Sequence, residues 1–258
     1  MMIVRVQSFL FRVFEMDSLC NSYIAIDVET TGLKVKEDRI IEIAAVKVID
    51  GVETKHFNTL VDPHMRLSDH TKAITGISED ELKLKPEIEE IMPDLLEFME
   101  DLPLLGHRVL FDYSFIKKAA VNLNMDLKKE GIDTLELSRF CLPKEQSKVL
   151  KEACKFMEID IKDWHRALPD ARASHCLYQA LKLRFADLLA DKNIKKELNF
   201  KIKKEQKASR TQKEHLLNIL NCHKITLDKD IDTLSKNQIS RIIDKIKFNK
   251  GYIDSERK

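Results

Sequence analysis

No C-x-x-C pair occurs in this chain, and its five cysteines, Cys20, Cys141, Cys154, Cys176 and Cys222, are scattered along it. That argues against a zinc ribbon or a disulfide framework and fits a reducing, cytoplasmic setting. No apolar run reaches the length that spans a bilayer, so no membrane role is expected. Neither sign of charge dominates, since the formal net charge of the 258 residues is +1. With 43% hydrophobic and 34% charged residues the composition is that of a soluble globular protein, not a disordered one. The length suits one large domain, or one domain with an appendage.

Residues 1–15 are apolar with Arg5 and Arg12 interspersed. Arg12 and Glu15 interrupt the stretch and no small-residue cleavage site follows, which argues against a signal peptide. Residues 1–20 read as an extension: a short extra helix, or a start placed too early, given Met16 just before the first strand. The near-neutral total hides an asymmetry. Residues 191–258 hold 18 Lys+Arg against 10 Asp+Glu, a local charge of +8, which leaves −7 on residues 1–190. A basic tail on an acidic body can attract a polyanion, or can be a pair of solvated lysine-rich helices.

Residues 22–29 alternate as a strand, with Ile24, Ile26 and Val28 on one face and Ala25, Asp27 and Glu29 on the other. Thr30-Thr31-Gly32 ends it. A β-branched run from Ile40 to Ile49 reads as a second strand, and Asp50-Gly51 turns it into a third from Glu53 to Val61. Residues 78–100 carry helical periodicity through Leu82, Leu84, Ile88, Ile91, Leu95 and Phe98, with Pro86 and Pro93 cutting the run. Leu102–Gly106 reads as a short strand. A helix follows from Asp112 through Phe115, Ile116, Ala119, Ala120 and Leu123. A strand at Ile132–Leu135, a helix near 146–157, and a long helix with Pro169 at its first position complete an α/β pattern.

Residues 191–210 read as a basic linker or charged helix extension. Residues 211–250 read as a small helical module, one helix through Leu216 and Leu220 and another behind a Ser235-x-x-Gln238 capping box.

Four carboxylates stand out because each sits in an otherwise apolar or turn-like run. They are Asp27 and Glu29 in Ile26–Gly32, Asp112 in Gly106–Asp112, and Asp170 in His165–Ala171. Hard divalent cations take oxygen ligands, and two of them about 3.5–4 Å apart activate a water and stabilise a leaving oxygen in phosphoryl chemistry. Asp27 is placed to bridge, with Glu29 and Asp170 completing one site and Asp112 near the other. Helix starts at Asp112 and Asp170 would favour both negative charges. His165, five residues before Asp170, can serve as base to the water. His107 can stack on or hydrogen-bond a nucleotide, or only cap the strand before it.

Asp27-x-Glu29-Thr-Thr-Gly, Gly-His-x-x-x-Phe-Asp112 and His165-x-Ala-x-x-Asp170-Ala together resemble the three motifs of the DEDDh exonuclease family, which includes the DnaQ-like proofreading subunit of bacterial replicative polymerases. Their order and spacing hold over residues 21–188, and Thr71–Ile77 is similar to the family's segment before its first helix.

The resemblance implies a ribonuclease H-like fold with a mixed five-stranded sheet flanked by helices. It implies 3′→5′ hydrolysis of DNA to nucleoside 5′-monophosphates with two Mg²⁺ or Mn²⁺. In that scheme Asp27, Glu29, Asp112 and Asp170 are metal ligands and His165 the general base. Thr30, Gly32 and Leu33 cradle the terminal nucleotide, Leu33 as a wedge, while His107 and Phe111 line the same pocket. The chain departs from the pattern at Arg108, where relatives carry asparagine; arginine there can contact a phosphate or alter substrate preference.

Expected partners are single-stranded or 3′-terminal DNA and a DNA polymerase in trans. RNA is the alternative substrate, in the manner of ribonuclease T or oligoribonuclease. A non-catalytic binding module is disfavoured by the intact set of acids and histidine. The tail, at Asp232-Thr233-Leu234-Ser235, resembles small helical modules appended to some nucleic-acid enzymes.

Overall fold

The computed structural model describes residues 19–203, 206–227 and 230–255, with side chains described through Lys247 except at 233 and 237. The expectations for residues 1–18 lie outside that range. Strand β1 (Tyr23–Thr30) is the axis of the molecule. It pairs antiparallel with β2 (Ile40–Ile49), which turns through Asp50-Gly51 into β3 (Val52–Leu60). On its other edge β1 runs parallel to β4 (Leu104–Gly106), and β4 parallel to β5 (Glu130–Asp133). The sheet order is β3-β2-β1-β4-β5-β6.

The sixth strand is a departure from expectation. Residues 195–197 form β6 (Lys195–Glu197), antiparallel to β5, where a basic linker or helix was expected. Its lysines show no apolar period, yet Leu198 and Phe200 just beyond pack into the main core and hold the segment against the sheet edge.

Period two along β1 sorts the two sides of the core. Ile24, Ile26 and Val28 face one cluster, built with α3 (Ile88–Met99) and α4 (Val109–Asn122) through Met92, Leu95, Tyr113 and Ile116. Tyr23 and Ala25 face the other, built with α7 (Ala167–Arg184) through Ala171, Leu177, Tyr178 and Leu181. Asp27 and Glu29 share the parity of Ala25, and therefore lie on the α7 side.

Between β3 and α3 lie two short helices, α1 (Asp69–Thr75) and α2 (Glu79–Leu82). Ser68 caps the first and Gly76, at φ 68°, ends it in the left-handed conformation that glycine tolerates. Pro86 does lie in the break between α2 and α3, but Pro93 does not interrupt its helix: α3 continues through it. Four buried residues, Ile91, Met92, Leu95 and Met99, straddle the proline, and their packing outweighs one lost backbone bond. Leu84 is solvent-exposed at φ 65°, outside any apolar stripe.

The strand expected at Ile132–Leu135 stops at Asp133, whose carboxylate accepts from the Leu135 and Glu136 amides and starts α5 (Thr134–Cys141). Helix α6 (Leu150–Phe156) is shorter than expected. α7 begins at Ala167, so Pro169 is its third residue and still costs no intrahelical bond. The short α8 (Ala186–Leu189) follows.

The C-terminal helices, α9 (Arg210–His223) and α10 (Lys236–Ser255), are joined through a 3₁₀ turn at Ile231–Thr233. They form a small cluster of their own, centred on Leu216, Leu220, Ile239 and Ile243. Both capping pairs act: Ser209 with Gln212 and Ser235 with Gln238 satisfy each other's backbone amides. Contact with the body is polar. Asp244 pairs with Arg39 at 3.2 Å, Lys245 with Glu87 at 2.7 Å, and Arg241 with Glu89.

Candidate active site

The β1–β2 ladder shifts register between Glu29 and Thr30. Such an irregularity bends the strand end and re-aims its side chains. Asp27 and Glu29 project there beside the first turn of α7, which supplies Asp170. One oxygen from each of Asp27, Glu29 and Asp170 falls in a group whose members lie within 4.8 Å of one another. Asp112 arrives from the opposite layer, in the first turn of α4, and its Oδ1 accepts the Val28 amide at 3.1 Å. Both acids sit at N-terminal turns, as expected, though three residues into each helix.

Crowding shows in the protonation of the four. Burial first, then Asp112, Glu29 and Asp170, hold the Asp27 carboxyl well above the usual carboxylate range. Burial raises Asp112 to about 8 against the pull of the Val28 amide. Burial and the Asp170 charge raise Glu29 to about 7, and burial raises Asp170 to about 6. Asp170 Oδ2 accepts the His165 amide at 3.3 Å, while its Oδ1 is buried with no hydrogen-bond partner. An all-oxygen donor set with an orphaned buried lone pair fits a hard divalent cation.

His165 is exposed at the rim in a left-handed conformation, φ 67°. Sequence reasoning misses the next residue and its partner. Arg166 Nε and Nη2 meet the two oxygens of Glu42 at 3.0 and 2.9 Å, and Glu42 also accepts the Ala167 amide at 3.1 Å. Glu42 is buried and directly opposite Glu29 in the ladder. The one signal available was a glutamate at a core position of a β-branched strand.

Thr30, Gly32 and Leu33 form a loop closed on Asp38. The Thr30 hydroxyl donates to the Gly32 carbonyl at 2.6 Å. Asp38 accepts from the Thr31 hydroxyl at 3.2 Å and the Lys34 amide at 2.7 Å. A Cβ on Gly32 would lie 2.6 Å from an Asp38 oxygen, so any larger residue displaces the carboxylate that closes the loop. Thr71 in α1 donates to the Thr31 carbonyl at 3.1 Å and ties the Thr71–Ile77 segment to this loop. Leu33, 79% exposed, stands free at the tip.

His107 is committed within the fold. Its Nε2 donates to the Lys148 carbonyl at 2.7 Å, Nδ1 meets the Thr134 hydroxyl at 2.9 Å, and burial lowers its pKa. Arg108 is exposed, in the left-handed region at φ 78°, with its guanidinium 5.9 Å from the Phe111 ring centre. Phe111 in turn packs on Phe115, with ring centres 5.1 Å apart. A groove of about 520 Å³ opens beside the acids, lined by Asp27 and Asp170 together with Arg108, Arg139 and Lys148.

The family model RNase_T, described as Exonuclease, matches residues 24–178. This chain belongs to that exonuclease family. The family indicated by the three motifs is thus the one found. A DNA polymerase III PolC-type of Clostridium perfringens is 33% identical over 178 residues, covering 69% of this chain and 12% of that protein. The Bacillus subtilis PolC-type polymerase is 37% identical over 165 residues, covering 63% and 11%. The chain therefore spans only about an eighth of these relatives.

Among solved structures, exonuclease X in complex with 5′-overhanging duplex DNA superposes with TM-score 0.52 at 26% identity, covering 66% of this chain and 98% of that one. Escherichia coli exonuclease I with a dT13 oligonucleotide shares the fold at TM-score 0.58 and 18% identity, covering 66% and 43%. The architecture is the ribonuclease H-like exonuclease fold, here an open mixed sheet of six strands.

Proposed function

We propose that this chain is a metal-dependent 3′→5′ exonuclease that shortens DNA from single-stranded or 3′-terminal ends, in proofreading or repair. The observation that carries the reading is the convergence of Asp27, Glu29 and Asp170, with Asp170 Oδ1 buried and unpartnered. Asp27, Glu29, Asp112 and Asp170 would hold two divalent cations, Mg²⁺ or Mn²⁺. Bound there, such ions lower the pKa of the attacking water and stabilise the leaving oxygen.

The chain's own residues supply the rest. His165 accepts the proton of the attacking water, and the hydrogen bond its backbone N–H donates to Asp170 ties the base to the acids. Leu33, exposed at the tip of a closed loop, is placed to wedge against the terminal base. Arg108, on the groove beside Asp27, offers a phosphate contact in place of the usual asparagine. Phe111 braces Arg108, and the Thr30–Gly32 turn cradles the terminal nucleotide. His107 contributes by joining β4, α5 and the Lys148 loop rather than by offering a free nitrogen.

The DNA held by exonuclease X and exonuclease I supports DNA as substrate, and the PolC-type relatives support an association with a DNA polymerase. The test is cleavage of matched 3′-labelled DNA and RNA with Mg²⁺, with Mn²⁺ and with chelator. Metal-dependent release of deoxynucleoside monophosphates is expected, with Asp27→Ala inactive but folded. Faster RNA cleavage transfers the assignment to an RNA exonuclease, and no cleavage of either removes it.

A further inference from the structure

Glu42 is 1% exposed and lies directly across the ladder from Glu29. A buried carboxylate without a partner costs several kcal/mol, so its partner is informative. That partner is Arg166, bound through two nitrogens at 2.9 and 3.0 Å, the geometry in which guanidinium and carboxylate fix each other's plane. Arg166 stands between the proposed base and the start of α7. Its own side chain makes no N-cap bond; Glu42 does that work from another strand by accepting the Ala167 amide at 3.1 Å. One carboxylate thus grips both the side chain and the backbone of the junction between His165 and Asp170.

The grip has two consequences. It locks the chain where His165 adopts φ 67° and where α7 begins one turn before Asp170. It also balances charge beside Glu29, on which Glu42 and Arg166 act with opposite sign.

We propose that Glu42 and Arg166 are a positioning pair that sets His165 and Asp170 against Asp27 and Glu29, and so determines metal affinity and turnover without touching substrate. The inference rests on the exonuclease reading above. Outer groups that orient metal ligands commonly change metal affinity or activity by roughly 10–100-fold when replaced.

The experiment uses the full chain with Glu42→Gln and Arg166→Lys, each near in size to the residue it replaces, and with Arg166→Ala. Mn²⁺ binding is read by electron paramagnetic resonance, unfolding temperature is read in chelator, and kcat and KM are measured on a 3′-labelled oligonucleotide across a Mn²⁺ series. Expected is about tenfold or greater loss of Mn²⁺ affinity, a matching fall in kcat at limiting Mn²⁺, and KM within about twofold. Arg166→Lys should recover part of what Arg166→Ala loses, because one charged donor remains.

Mn²⁺ affinity and kcat both within twofold of the parent overturn the proposal. So does a loss confined to KM. If Glu42→Gln does not fold, Arg166→Lys decides by the same readings. A parent protein that neither binds Mn²⁺ nor cleaves defeats the exonuclease reading instead, which keeps the two failures apart.

Discussion

Asp112 shows how a single buried carboxyl makes stability depend on pH. Its carboxyl sits near pKa 8 in the fold, whereas an unfolded chain ionises it near 4. Between those values the folded state holds a proton that the unfolded state has given up. The linkage therefore makes the metal-free protein lose stability as pH rises from about 4 through 8. Glu29 and Asp170, raised to about 7 and about 6, add in the same sense over narrower windows.

Asp112→Asn keeps the oxygen that accepts the Val28 amide and removes the charge. It should match the parent near pH 4 and exceed it at pH 8 by at least about 1 kcal/mol in chelator, while losing nuclease activity. Denaturant titration at both pH values reads this; equal stability at pH 8 contradicts the burial argument. Metal ligands must shed protons to bind, so Mn²⁺ addition at pH 7 should release protons, seen as buffer-dependent heats in calorimetry.

At the level of elements, β1 works because the loop leaving its C-terminal end closes tightly. That loop, from Thr30 to Arg39, is held by Asp38, by Thr71 and by the pairing of the Thr31 amide with the Arg39 carbonyl. Gly32→Ala pushes a methyl to 2.6 Å from the Asp38 carboxylate and displaces it from its bonds to Thr31 and Lys34, with the acids on the strand left in place. The expected result is a KM raised several-fold with kcat little changed, and a stability loss of about 1–3 kcal/mol. An unchanged KM would remove the loop from the substrate's path.

Over the whole molecule, the two C-terminal helices carry their own apolar cluster and meet the body through charges. His64 lies under this contact, 2.9 Å from Asp62 and 2.8 Å from Glu87, with Lys245 3.3 Å from its Nε2. Pairs of this partly exposed kind contribute roughly 0–1 kcal/mol each and weaken with salt. A truncation that probes the module must spare β6, Leu198 and Phe200, which belong to the main core, so it begins after residue 205. That truncation should leave the body folded, with a melting temperature within a few degrees of the parent. Binding to a long single strand should weaken and its salt dependence flatten if the basic helices meet phosphates. An unchanged salt slope makes the module a stabilising cap.

Periodicity and motif spacing in the chain determined the α/β class, the parity that puts Asp27 and Glu29 on one face, and the choice of the four acids as candidates. Period two and short local spacing need no partner to be read. Capping boxes at Ser209 and Ser235 were legible for the same reason, because their bonds close within four residues.

Tertiary structure alone decided the rest. β6 exists because Leu198 and Phe200 find the main core, which the lysines around them conceal. Pro93 stays inside a helix because α3 has a stripe to bury. His107 lost its free nitrogens to residues 27 and 41 positions away. The pairing of Glu42 with Arg166 spans 124 residues, and no local pattern records such a bond. The carboxylates were visible in the sequence, but their raised pKa values come from desolvation, and only the folded chain removes the water.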